Sequence, residues 1–203
     1  MKTTRIIAAA MLALLSGAAL AAAPNPNAVT KCDRLASHPE DPDHITTGVS
    51  QGKVDLLKAV EVCKRELERQ PDNQRIRYQY ARVSAYSGDW ETAAAEMKKA
   101  ADGGYRQAQF VYGLFVARER EGLPHDLCLS EKYWLKAAQA GRKHARVQYA
   151  DYYLSGKFSG CQTGVDAAGL QQLLETGASE ASDFYERMLI ATQLKQVAAL
   201  ANQ

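Results

Sequence analysis

The segment His38-Pro-Glu-Asp-Pro-Asp-His44 gathers two imidazoles and several carboxylates within seven residues, and metal binding is the chemistry that mixture raises first. Two prolines interrupt the segment, and a polar loop lacks the supporting contacts that orient metal ligands. His38, Asp41, Asp43 and His44 are therefore assigned to a polar loop, with no metal or cofactor expected. His125-Asp126 has the residue types of the base and orienting acid of a hydrolytic triad. No Gly-x-Ser-x-Gly elbow is expected to supply its nucleophile, and Asp126 suits a helix start more simply. His144 falls in the first turn of an expected helix and is assigned to the surface. Four cysteines stand at 32, 63, 128 and 161, with no Cys-x-x-Cys spacing to favour zinc. An even count in a chain bound for an oxidising compartment favours disulfides, which would remove the thiols as nucleophiles. Three pairings are available. Cys32 with Cys63 and Cys128 with Cys161 are favoured, since each closes a loop of about 30 residues that fits the repeat described below. No catalytic residue is assigned.

The compartment is read from the first residues. Lys2 and Arg5 precede an apolar run from Ile6 to about Leu14, and Ala19-Leu20-Ala21 is a cleavage-type triplet, so residues 1–21 are expected to be a secretory signal peptide. A membrane anchor would need roughly 20 apolar residues. Cys32 does not follow the triplet directly, as lipid attachment there would require. Loss of Lys2 and Arg5 turns 25 basic and 23 acidic residues into 23 of each, a formally neutral chain. That balance does not suggest a nucleic-acid partner, and export removes the opportunity. No later stretch is apolar for long enough to span a bilayer. The remainder suffices for one domain with its own core.

The elements that would carry any site repeat along the chain. Ala101, Gly104, Ala108 and Tyr112 recur 37 residues later as Ala138, Gly141, Ala145 and Tyr149, and a weaker copy follows as Gly177, Ala181 and Tyr185. Upstream, Pro71 and Tyr78 precede Tyr105 and Tyr112 by 34 residues. A period of this length belongs to helix-turn-helix repeats. Small residues at the crossing points let helix axes approach, while Tyr, Trp, Leu and Met fill the space around them. An isolated hairpin cannot bury its apolar face, so neighbours stack into an all-α, α/α superhelical solenoid. Helices are expected near 54–70, 73–87, 90–103, 106–120, 129–140, 143–155, 166–176 and 178–200, preceded by an irregular arm over 22–53 that Cys32 tethers. Tyr112, Tyr149 and Tyr185 are assigned to packing, as is Trp134.

The segments GYRQAQFVYG (104–113), GLPHDLCLSEKYWLKAAQAG (122–141) and RKHARVQYADYYLSG (142–156) resemble Sel-one-like repeats, a branch of the tetratricopeptide superfamily. YARVSAYSGDWETAAAEMKKA (80–100) is closer to an ordinary tetratricopeptide unit. The resemblance covers roughly 55–200. Ser130 stands where the family often has alanine, and Glu186 where it has a small residue, which marks the last copy as a cap.

The resemblance implies a non-enzymatic protein–protein interaction module, an adaptor or regulator. The first helix of each hairpin would line a concave face, here 73–87, 106–120 and 143–155. Offset from the packing stripe, those segments carry Arg75, Tyr78 and Arg82, then Gln107, Phe110 and Leu114, then His144, Val147 and Asp151, a row suited to an extended peptide or a partner's helix. The expected partner is another exported or cell-envelope protein or peptide, in the periplasm if the source is Gram-negative. An enzymatic alternative also follows from the resemblance, since cysteine-rich exported relatives are linked to penicillin or peptidoglycan binding and β-lactam hydrolysis. Their cysteines recur at short spacing in every repeat, whereas these form two widely spaced pairs. A third alternative is self-association through the C-terminal helix, with Leu189, Ile190, Leu194, Val197 and Leu200.

Overall fold

Helix starts in this chain are written by acids and amides. Asp55, Asn73, Asp89, Asp126 and Asp166 each accept a hydrogen bond from the backbone N–H three residues on, satisfying a donor that the first turn leaves open. They open α2 (Leu56–Arg69), α3 (Gln74–Tyr86), α4 (Trp90–Asp102), α6 (Leu127–Gln139) and α8 (Ala167–Glu180). Between them lie α5 (Arg106–Val116), α7 (Lys143–Leu154) and α9 (Phe184–Leu200), and a short α1 (Lys31–Ala36) precedes them all. The computed structural model describes residues 25–119 and 122–200. The expected signal peptide, 1–21, lies outside them. Among the described residues the secondary structure is helical and contains no β-strand, so the chain is an all-α repeat.

Each of α2 to α9 packs on its neighbours in sequence, and α7 also touches α9 across the hairpin between them, which is the contact pattern of a solenoid. Gly104 and Gly141, one period apart, hold φ of +86° and +83° in the turns that end α4 and α6. Those angles cost a side-chain-bearing residue heavily and glycine little. The core is aromatic at its centre. Trp134 is fully buried and donates its indole N–H to the Phe110 carbonyl at 3.0 Å. Gly113 makes room for it, since a β-carbon there would stand 2.4 Å from the indole ring. Tyr149 donates its hydroxyl to the buried Glu131 carboxylate at 2.7 Å, and the Gly164 N–H donates to the same oxygen at 2.9 Å. The long segment after α7 is thereby held against α6, with Phe158 packed among Trp134, Tyr149 and Tyr152.

Both cysteine pairs are bridged. Cys32–Cys63 joins α1 to α2, and Cys128–Cys161 joins the first turn of α6 to the segment beyond α7.

Two expectations need correction. From residue 25 on, the arm expected to be irregular carries local structure: Thr30 and Asp33 form a reciprocal capping box for α1, and a short 3-10 turn covers Gln51–Lys53. The third repeat is also out of register. Gly177 lies inside α8 rather than between helices, and Tyr185 is 73% exposed instead of packed. α8 runs on to Glu180, so the turn falls later than the sequence match implies. Tyr112 and Tyr149 are the seventh residues of α5 and α7; the seventh of α9 is Ile190, and it is Ile190 that is buried.

Candidate functional site: a two-chambered groove

The inner helices α3, α5, α7 and α9 face a groove whose other wall is the N-terminal arm. One chamber, of about 580 Å³, lies between α5, α7 and α9, with Phe110, Val147, Tyr185 and Leu189 among its lining residues. A second, of about 420 Å³, lies between α3, α4 and α5, with Tyr86, Trp90, Val111 and Leu114. The two share Glu40, Phe110, Arg142 and His144, which form a waist between them.

Most of the row expected to meet a partner is here, but its first third is already occupied. Arg75 is buried beneath the arm, where its Nε donates to Asp33 Oδ1 at 2.8 Å and its Nη1 to the Pro26 carbonyl at 2.9 Å. Arg82 is buried too, donating to the carbonyls of Ala36 at 2.7 Å, Ser37 at 3.1 Å and Val49 at 2.7 Å. Tyr78, fully enclosed, contributes only an edge to the second chamber. These three are therefore not open to a partner, because residues 26–49 of the same chain lie across them. Phe110 and the exposed His144 line both chambers, Leu114 and Gln107 the second, Val147 the first. Asp151 is exposed and lines neither.

The loop at 38–44 fastens the arm. Asp41 accepts from the Tyr105 hydroxyl at 2.7 Å, and Asp43 pairs with Arg106 at 2.7 Å. Burial raises the Asp41 carboxyl above its ordinary range, against the opposing pull of the Tyr105 hydrogen bond. Burial, aided by the positive Arg82, pushes His38 down to about 4, so it is neutral at pH 7, and its Nδ1 accepts from the Glu40 N–H at 3.0 Å. Among the described residues, no three His, Cys, Asp or Glu side chains are grouped to hold a metal ion.

Arg142 has no counterpart in the sequence reading. It stands at the N-cap of α7 and makes no capping bond, as does Tyr105 at the same place before α5. Both side chains turn instead to the groove. Arg142 is 5% exposed, donates from Nε to Gln107 Oε1 at 2.5 Å and lies 5.1 Å over the Phe110 ring. Its Nη1 meets His144 Nδ1 at 2.5 Å. A guanidinium only donates, so Nδ1 accepts and the neutral ring carries its proton on Nε2, which faces Glu40 Oε2 at 3.5 Å. Burial lowers the His144 pKa first, and the Arg142 charge lowers it further.

No protein-family model matches the chain, and no curated protein matches it. Among solved structures, a Sel1 repeat protein from Oxalobacter formigenes is similar at 21% identity and a TM-score of 0.48, over 70% of this chain and 95% of that one. A protective antigen of uropathogenic Escherichia coli strains, displaying an SLR fold, is similar at 19% identity and a TM-score of 0.41, over 71% of this chain and 40% of that one.

Catalytic spellings are present without catalytic geometry. Gly48-Val-Ser50-Gln-Gly52 has the spacing of a nucleophile elbow, and Ser50 to Lys53 that of Ser-x-x-Lys. An elbow needs a strand turning sharply into a helix. Ser50 instead precedes a three-residue 3-10 turn with extended angles of −64° and 151°, and both it and Lys53 are exposed. No hydrogen bond joins Ser50 to a histidine among the described residues. His125 lies 3.8 Å from Glu119 at the surface, while Asp126 caps α6 at 2.8 Å from the Leu129 N–H. The four cysteines are all oxidised.

Proposed function

We propose that the protein is a non-enzymatic interaction module that binds an extended segment of another protein in the groove along its inner helices. The observation that supports this most is the arm itself. A stretch of the chain's own polypeptide, α1 and the loop after it, already lies across one third of the groove, held through its carboxylates and carbonyls by Arg75 and Arg82, and the open remainder has a largely apolar lining with Arg142 and Lys143 beside Glu40, Asp183 and Glu186. The disulfides fasten α1 to α2 and α6 to the segment after α7, and the aromatic core packs α7 against α6, so the groove is formed before a partner arrives and little ordering entropy opposes binding. Two disulfides also accord with an oxidising compartment, and among the described residues no helix is long and apolar enough to cross a membrane. Export to the cell envelope, with a partner there, is part of the proposal. Self-association through α9 is a second reading: Ile190 and Val197 are buried in the core and Leu194 packs against it, but Phe184, Tyr185, Met188, Leu189 and Leu200 are exposed on the same helix.

The test is site-specific photo-crosslinking in the native host. A photoreactive residue at Gln148, in the groove, is expected to yield discrete adducts with another polypeptide, and one at the exposed Lys132, outside it, is not. Identical adduct patterns from the two positions would remove the groove as the binding surface.

A further inference from the structure

The bound arm also indicates which chemistry the groove selects. Four of its carboxylates meet donors on the inner helices or their caps: Asp33 on Arg75 at 2.8 Å, Asp41 on Tyr105 at 2.7 Å, Asp43 on Arg106 at 2.7 Å and Glu40 facing His144 at 3.5 Å. The series stops at the waist, where the cation, Arg142, has no carboxylate in direct contact among the described residues. Arg142 is 95% buried, yet among the described residues no carboxylate lies within 4.0 Å of it, and its Nη2 makes no hydrogen bond. A guanidinium keeps its charge in any protein setting, and a buried charge without a counter-charge is costly. Glu40 and Asp41 of the arm act on the Arg142 charge only from beyond that distance, and Glu40 is directed to His144 with its side chain 61% exposed. The Arg142 guanidinium therefore sits between two largely apolar chambers, with Val111 and Leu114 on one side and Val147, Tyr185 and Leu189 on the other, where Lys143 also faces Glu186 at 3.8 Å beside Asp183.

We propose that the groove selects an extended polypeptide segment in which an aspartate or glutamate is flanked by bulky apolar residues. The carboxylate seats on Arg142, accepting from Nη2, and the apolar neighbours enter the two chambers. A small carboxylic acid would neutralise Arg142 but leave both chambers empty, whereas a peptide fills all three subsites with side chains spaced along one backbone. This selectivity rests on the groove reading above, and it carries its own test.

Short random peptides displayed on phage are panned against the full, disulfide-bonded protein and against an unrelated helical protein. The enriched set is expected to carry an acidic residue beside Leu, Phe, Tyr or Met. A synthetic peptide from that set, followed by fluorescence anisotropy, should lose affinity by about tenfold or more when its acid becomes the amide, a difference of about 1.4 kcal/mol. The same loss is expected with Arg142→Gln, while Arg142→Lys retains the preference for acid over amide. Circular dichroism and thermal melts establish that each variant is folded, and His144→Ala, at an exposed position, serves as a second probe of the waist. In the wild type, bound acidic peptide should raise the His144 pKa, read from its ring proton shifts. Enriched peptides without acids, or equal affinity for acid and amide forms, would overturn the selectivity and leave the groove. Acid-dependent binding indifferent to Arg142→Gln would also overturn it, by seating the carboxylate elsewhere. Enrichment no better than on the control protein would remove the groove reading itself.

Discussion

Asp33→Asn asks what the arm's main fastening is worth. The Asp33 carboxylate is fully buried and receives five hydrogen bonds: Thr30 N–H, Thr30 hydroxyl, Arg75 Nε and Gln79 Nε2, each at 2.8 Å, and Arg75 Nη2 at 3.3 Å. Both oxygens are surrounded only by donors. An asparagine amide in either orientation must point its NH2 at one of those donor sets, and the charge that balances Arg75 is gone. Removing one partner of a buried pair costs about 3–5 kcal/mol. That is a large share of the ~5–15 kcal/mol typical of a domain, so the arm should open locally before the solenoid melts. The acid dependence has a definite sign. Burial opposes the charge, but the bonds from Arg75, Thr30 and Gln79 outweigh it and hold the folded carboxyl below its ordinary range. Its stabilisation is therefore complete above the unfolded carboxylate pKa of about 3.9 and disappears as pH falls through the depressed folded value. Urea denaturation should find the variant weaker by about 3 kcal/mol at pH 7, with the gap closing as pH falls below the ordinary carboxylate range and wild-type Asp33 protonates. Hydrogen exchange at neutral pH should show lost protection over 30–49 and little change in α5 to α7. A difference below about 1 kcal/mol at pH 7, the range of exposed ion pairs, would mean that the arm does not depend on this pair.

Two further perturbations test the frame. Gly113→Ala gains about 1 kcal/mol in helix propensity but drives a methyl to within 2.4 Å of the Trp134 indole. Overpacking typically costs about 1–3 kcal/mol, and the Trp134 bond to Phe110 is lost with it. A net fall of roughly 1–2 kcal/mol is expected by denaturation, together with a red-shifted Trp134 emission isolated in a Trp90→Phe background. Replacing Cys128 and Cys161 by serine opens a loop of sequence separation 33, for which loop-closure entropy gives roughly 3–4 kcal/mol of stabilisation. The midpoint of denaturation should fall accordingly, whereas unchanged stability would assign that work to Phe158 and Glu131 alone.

The repeat was legible because packing repeats. Helix axes can approach only where Ala108 and Ala145 are small, and turns such as those at Gly104 and Gly141 favour glycine, so one period appears in the letters wherever it appears in space. The same logic failed at the end of the chain. Gly177 matched the turn glycines, but a glycine inside a helix and one in a turn are spelled alike, and only the continuation of α8 to Glu180 tells them apart. Spelling misleads in the other direction at Ser50, where two nucleophile patterns overlap on a segment that has neither strand nor elbow. The arm was the largest loss. Its prolines and acids give the composition of a loose loop, and its order comes from Arg75, Gln79 and Arg82, more than thirty residues away, for which no local rule accounts.

That the arm and the groove define each other explains why Arg142 escaped a reading by periodicity. Most hairpin helices here begin with an acid or amide whose side chain is consumed by its own backbone. At the starts of α5 and α7 the cap is Tyr105 and Arg142, residues poor at capping, and each leaves the first-turn donors without a side-chain acceptor. Two helix starts in equivalent positions thus forgo the local bond, and both place the freed side chain against the arm or the space beside it. Tyr105 has found its carboxylate in Asp41. Arg142 occupies the next equivalent position with no carboxylate within 4.0 Å among the described residues, and under the proposal above an acid from another polypeptide would complete the row that the arm begins.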